Sequence, residues 1–104
     1  MKILYNVTIK IESEISQEWI QWMHNTHIPD VMATKCFESY RLTRIIEDED
    51  EHGVGFAIQY VAPNIDFFNI YQSEHAKRLQ KEHADRYANR YVAFRTLMKI
   101  ESEG

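Results

Sequence analysis

The sequence predicts an α+β domain in the order βαββαβ, with four antiparallel strands in one sheet and two helices on one face. Three observations predict it. Apolar and polar residues alternate with period two over residues 3–11, 54–62 and 91–100. Between these stretches, apolar residues recur every three or four positions, the period of a helix with one buried face. The chain has 104 residues, enough for one two-layer domain, and a 44% hydrophobic content that includes five Phe, six Tyr and two Trp to fill it.

The first strand spans residues 3–11, with Ile3, Tyr5, Val7, Ile9 and Ile11 on one face and Leu4, Asn6, Thr8 and Lys10 on the other. Ser16 is placed to cap the helix that follows, with Glu18 in its first turn and Ile15, Trp19, Trp22, Met23 and Thr26 at helical spacing. Pro29 disfavours helical geometry at Ile28, so this helix is expected to end or kink there, with a short further turn from Pro29 to Ala33. Residues 36–46 and 54–62 read as a pair of strands, joined by the polar run Glu47–Gly53. Asn64 can cap the second helix, whose stripe of Phe68, Tyr71, His75 and Leu79 extends toward Tyr87. The last strand covers residues 91–100. Phe94, Met98 and Ile100 are expected to meet the helices, and Tyr91, Ala93, Arg95 and Leu97 to face away. No linker or low-complexity segment divides the chain, so residues 1–104 form one domain. The element order is that of the ferredoxin-like split βαβ motif.

Composition excludes several classes. There are 12 Lys and Arg against 16 Asp and Glu, a formal charge of −4, which argues against nucleic acid and anionic membranes as partners. Five of the acids lie in Glu47–Glu51. Without them 12 basic residues face 11 acidic ones, so the body of the domain is nearly neutral and compatible with an anionic small molecule. Cys36 is the one cysteine, which excludes an internal disulfide or a thiolate-rich zinc site and reads as a small buried hydrophobe. No apolar run reaches the length of a membrane span, and the first residues turn polar too soon for a signal peptide. A cytoplasmic location is expected.

Two helices cover one face of such a sheet, yet the other face keeps Leu4, Ala57, Val61, Tyr91, Ala93 and Leu97 among its polar residues. A half-apolar open face predicts a symmetric homodimer, and two sheets packed together would enclose an apolar cavity with a few polar groups, as small-molecule sites do. The pattern resembles the dimeric α/β-barrel superfamily over the whole chain. Three segments are similar to a bacterial family of unknown function within it: Leu4-Tyr5-Asn6-Val7-Thr8; Trp19–Met23 followed by His27-Ile28-Pro29-Asp30-Val31-Met32-Ala33-Thr34; and Tyr91–Leu97. The resemblance implies two ferredoxin-like subunits packed sheet to sheet, with the ligand on the face away from the helices, and implies no assigned activity.

The predicted ligand set is Arg95, Asn6, Thr8, Gln59 and Arg41. Arg95 sits mid-strand with no acidic residue beside it on the expected cavity face, so it can hold a carboxylate or phosphate in a bidentate manner. Asn6, Thr8 and Gln59 are neutral donors and acceptors suited to orienting a polar ligand. Arg41 and Arg44 have opposite parity, so one of them faces the cavity. No metal site is expected: His24 and His27 are three apart on one helix, but no third ligand is within reach. His27 borders the apolar face near the helix end, where its imidazole has the pKa range of a general base. His75 lies on the apolar stripe, where a hydrogen-bonded core histidine is the ordinary outcome. Haem-degrading monooxygenases of the same superfamily use a first-strand Asn, a second-helix His and a second-helix Trp. This chain has Asn6 and His75, but both its tryptophans precede that helix. The expected partner is thus a second copy together with a small molecule bearing a polar or anionic head, without a resident cofactor. The alternatives are a monooxygenase or haem-degrading type of enzyme and a structural protein whose own side chains fill the cavity.

Overall fold

The computed structural model describes residues 1–104. Strand β1 runs Ile3–Ile11, β2 Ser39–Asp50, β3 Gly53–Ala62 and β4 Tyr91–Lys99; they form one antiparallel sheet in the order β2-β3-β1-β4. The two central strands show the cleanest one-sided patterns. Ile3, Tyr5, Ile9 and Ile11 of β1 and Val54, Phe56, Ile58, Tyr60 and Ala62 of β3 are all buried on one face, because alternate residues of paired strands share a side. No helix is long and apolar enough to cross a membrane.

The helical layer is interrupted twice. A single 3₁₀ turn, Ser13–Ile15, leads into α1, Ser16–Trp22. Ser16 is therefore the first helical residue, with its hydroxyl bonded back to the Ser13 carbonyl and not capping the helix from outside. The chain does not end its helix at Ile28. It widens into a π turn over Met23–His27 and continues as α2, Ile28–Met32. The Ile28 N–H donates to the Met23 carbonyl, five residues back. The inserted residue shows in the burial sequence Trp19, Met23, Ile28, Val31, where the step of five replaces the usual four. Asn64 caps α3, Ile65–Glu74, its Oδ1 accepting from the N–H groups of Asp66 and Phe67 at 3.0 and 3.2 Å. The expected single helix is broken at His75 (φ −128°, ψ −35°), after which α4 spans Ala76–Arg86.

Four further expectations are corrected. Residues 36–38 precede β2 instead of belonging to it, yet Cys36 and Phe37 are buried, Phe37 among Tyr5, Tyr60 and Tyr71. The acidic run is not a free turn. Strand β2 extends through it after a register shift between Arg44 and Glu49, and only Glu51–His52 turn. Asp48 and Asp50 reach over β3 to Lys10 at 3.0 and 2.8 Å. Gly55 makes that reach possible, since a Cβ there would meet Asp48 Oδ2 at 2.1 Å.

The third correction concerns β4. Pairing Thr8 with Phe94 and Leu4 with Met98 turns Phe94 and Met98 to the open face, where they are 63% and 37% exposed. Tyr91, Ala93 and Arg95 share the helix side with Ile11, Ile9 and Val7. Both faces of β4 are half apolar, so its alternation alone did not fix its parity. The fourth is Arg95 itself, which leaves the open face on which it was expected beside Asn6 and Gln59.

Candidate functional site

A groove on the open face is bordered by Leu4, Arg41, Gln59 and Val61, and a cavity lies between sheet and helices. Tyr5, Ile58 and Tyr60 floor it, Met23, His27 and Val31 roof it, and Gln80 and His83 of α4 close one side with Tyr91 and Arg95 of β4. Its volume is about 30 Å³, room for about two waters. Gln80, Tyr91 and Arg95 also border a wide groove between α4 and β4 that adds Lys77 and Lys81. That groove is the cavity's open side, and its rim is made of side chains.

His83 is the polar centre. Trp19, wholly buried, donates its indole N–H to His83 Nε2 at 2.9 Å. That nitrogen is therefore the acceptor, and the proton of the neutral ring sits on Nδ1. The rings of His27 and His83 are 5.8 Å apart, and Tyr91 meets His83 edge-on at 4.6 Å. The π turn brings His27 here, stacked on Trp22 at 5.3 Å. Its Nδ1 is screened from solvent and has no hydrogen-bond partner. Burial pushes both imidazoles down to about 4, with Arg95 adding to the effect on each and His27 on His83, while Asp30 opposes it at His27. Both rings are thus neutral at pH 7.

Tyr5, Tyr60 and Tyr71 add three phenols, each held protonated by burial. Arg95 and Gln80 stand beside the Tyr5 hydroxyl and counter part of that effect. Arg95 itself forms no ion pair. The site is an aromatic chamber with two neutral imidazoles and one cationic rim residue.

The expected ligand set is divided by the sheet. Asn6, Gln59 and Arg41 are neighbours across β1, β3 and β2 on the open face, with Thr8 two residues along from Asn6. Asn6 Nδ2 donates to Thr8 Oγ1 at 2.9 Å. Arg44 has the opposite parity and lies over the Phe56 ring at 5.2 Å. Arg95 and His27 are brought together in the cavity. His75 is at the junction of α3 and α4, 3.2 Å from an Arg78 guanidinium nitrogen, and does not line it. Asn6 and His75 are therefore on opposite sides of the sheet. The residues that motivated a haem reading do not form one site, and no step through haem follows. No group of three or more metal-binding side chains is present. His24 is exposed while His27 is half-buried.

Sequence reasoning missed His83, Gln80 and Trp19's polar role. A signal for His83 was there, because 79, 83 and 87 form one stripe four residues apart, and a histidine buried between Leu79 and Tyr87 takes a hydrogen-bond partner.

A four-stranded antiparallel sheet with helices on one face, in this order, defines a ferredoxin-like α+β domain. The chain belongs to the DUF4286 family, a domain of unknown function matched over residues 2–101. Among curated proteins none matches the sequence. Solved structures with the same fold include a mutant form of SnoaB, a cofactor-independent oxygenase from Streptomyces nogalater (9% identity, TM-score 0.72, 98% of this chain and 95% of that one). A dimeric ferredoxin-like protein from an uncultured marine organism is similar at 9% identity and TM-score 0.71, over 98% and 97% of the two chains. Another, of unknown function, from Thermobifida fusca is similar at 14% identity and TM-score 0.58, over 94% and 92%.

Proposed function

We propose that the protein is a homodimer, packed through the open sheet face, in which each subunit binds a small organic molecule with a polar or anionic head in its own helix-side cavity. The observation that carries the reading is Arg95, a guanidinium without a carboxylate partner at the rim of an aromatic chamber. A charge so placed favours an anion that also fills the apolar space. At about 30 Å³ the cavity is too small for such a molecule as it stands, so binding requires Gln80, Tyr91 and Arg95, which also border the adjoining groove, to move aside. Dimerisation is supported by Val92, Phe94 and Met98, which lie in a row on the open face of β4 with the first two more than 60% exposed. Dimeric proteins of the same fold give the same support.

Native mass spectrometry of the purified protein reads subunit number and retained ligand together. The expected result is two chains, with any retained molecule lost in Arg95→Gln. Two outcomes contradict it: a single chain, or an Arg95→Gln variant that loses stability but no ligand, as a structural protein would.

A second reading is cofactor-free oxygenation of a quinol, favoured by the fold shared with SnoaB and the neutral imidazoles in the cavity. It predicts oxygen consumption with a naphthoquinol that falls in Arg95→Gln. Consumption no faster than in buffer excludes it.

A further inference from the structure

We propose that His27 selects among the cavity's ligands for an aromatic hydroxy acid, binding the hydroxyl while Arg95 binds the acid; this rests on the ligand-binding reading above. The two ends of the cavity differ. Arg95 belongs to both the cavity and the groove outside it, whereas His27 and His83 line the cavity alone. A ligand entering past Arg95 leaves its anionic group at that rim and points its far end toward the imidazoles.

What meets the far end is set by hydrogen bonding. His83 Nε2 is already occupied by Trp19, which leaves that ring its Nδ1–H, a donor only. The one solvent-screened side-chain nitrogen or oxygen without a partner in the whole chain is His27 Nδ1. A buried polar atom left unsatisfied is costly, and a ligand that completes it gains selectively. A hydroxyl suits this nitrogen in either tautomer, because it both donates and accepts. A second carboxylate does not suit it: a neutral ring cannot offset the charge, and burial holds the ring neutral. Proton removal is not part of the role, since an imidazole titrating near 4 is a weak base toward a phenol. The ring walls, Tyr5, Tyr60, Tyr71 and Trp22 stacked behind His27, favour an aromatic body between the two polar ends.

The test uses 4-hydroxybenzoate and benzoate, which share the carboxylate and ring and differ by the hydroxyl. Calorimetric titration of the full-length protein should show 4-hydroxybenzoate binding about tenfold tighter than benzoate. His27→Phe, which keeps the stack on Trp22, should bring both to the affinity of benzoate. Where that variant does not fold, the ¹⁵N resonance of His27 Nδ1 in the wild-type protein replaces it and should shift with 4-hydroxybenzoate only. Equal binding of the two acids, a preference that survives His27→Phe, or a resonance that moves alike with both overturns the proposal; a trapped water on Nδ1 would give the first of these. Failure of the underlying reading looks different: neither acid binds, or Arg95→Gln leaves both affinities unchanged.

Discussion

The two faces of the sheet are built from the same strands and divide the molecule's work. On the helix face every second residue of β1 and β3 is buried except the half-buried Val7, and three polar groups gather there: His83 bonded to Trp19, His27 with its Nδ1 unpartnered, and Arg95 exposed at the rim. On the open face Asn6 bonds to Thr8 and Lys10 pairs with Asp48 and Asp50, Arg41 and Gln59 line a groove, and Val92 and Phe94 leave apolar surface exposed. The first face leaves a polar group unmatched and the second leaves apolar side chains uncovered. The proposed small molecule would complete the former and the proposed second copy of the chain the latter.

The contrast can be broken first at its most buried point. Trp19 is fully enclosed, packs on Phe56 with ring centroids 4.9 Å apart and holds His83. Trp19→Ala should cost about 3–5 kcal/mol of stability in urea unfolding. A loss under about 1 kcal/mol would mean that the helix layer does not depend on this joint.

The next effect comes from the imidazoles. His27 and His83 titrate near 4 when folded and near 6.5 when unfolded. The unfolded chain therefore takes up protons first as the pH falls. Stability contributed by keeping these rings neutral is whole above about pH 6.5 and declines through the window down to about 4. At pH 5 the loss is about 2 kcal/mol per histidine, since about 1.5 pH units lie below the unfolded value. Urea midpoints of the wild type and His83→Phe, compared at pH 7 and pH 5, check it. The variant should lose less on acidification, and identical losses would refute the assignment.

Smaller effects belong to the open face and its margins. Gly55→Ala sets a Cβ against the Asp48 carboxylate and should cost about 1 kcal/mol by parting Asp48 from Lys10. Asn64→Ala removes the α3 cap at a cost of about 1 kcal/mol. Thermal melts of each variant measure both. A Gly55→Ala protein as stable as the wild type would show that Asp48 does not depend on that lane.

The same contrast explains what was legible in the sequence. Strands β1 and β3 have one apolar and one mixed face, so their bounds and orientation could be read directly. Strand β4 is half apolar on both sides; its parity is decided by which of Phe94 or Ala93 stands opposite Ile9, a matter of pairing that no single-strand pattern contains. Arg95 moved to the helix side for that reason and took the candidate site with it. The π turn was hidden because one extra residue in a helix looks like an ordinary end before Pro29. His83 could have been found from its place in the stripe between Leu79 and Tyr87.

Sedimentation velocity of the wild type and of Phe94→Asp tests the division between the faces most directly. Phe94 is on the open face and touches nothing in the cavity, so a charge there should leave the fold intact while opposing the pairing of two sheets. The expected result is a wild-type species of twice the 12.4 kDa chain mass and a Phe94→Asp species of one chain that binds benzoate with wild-type affinity. Equal masses for the two proteins, or loss of benzoate binding in a folded Phe94→Asp monomer, would contradict it.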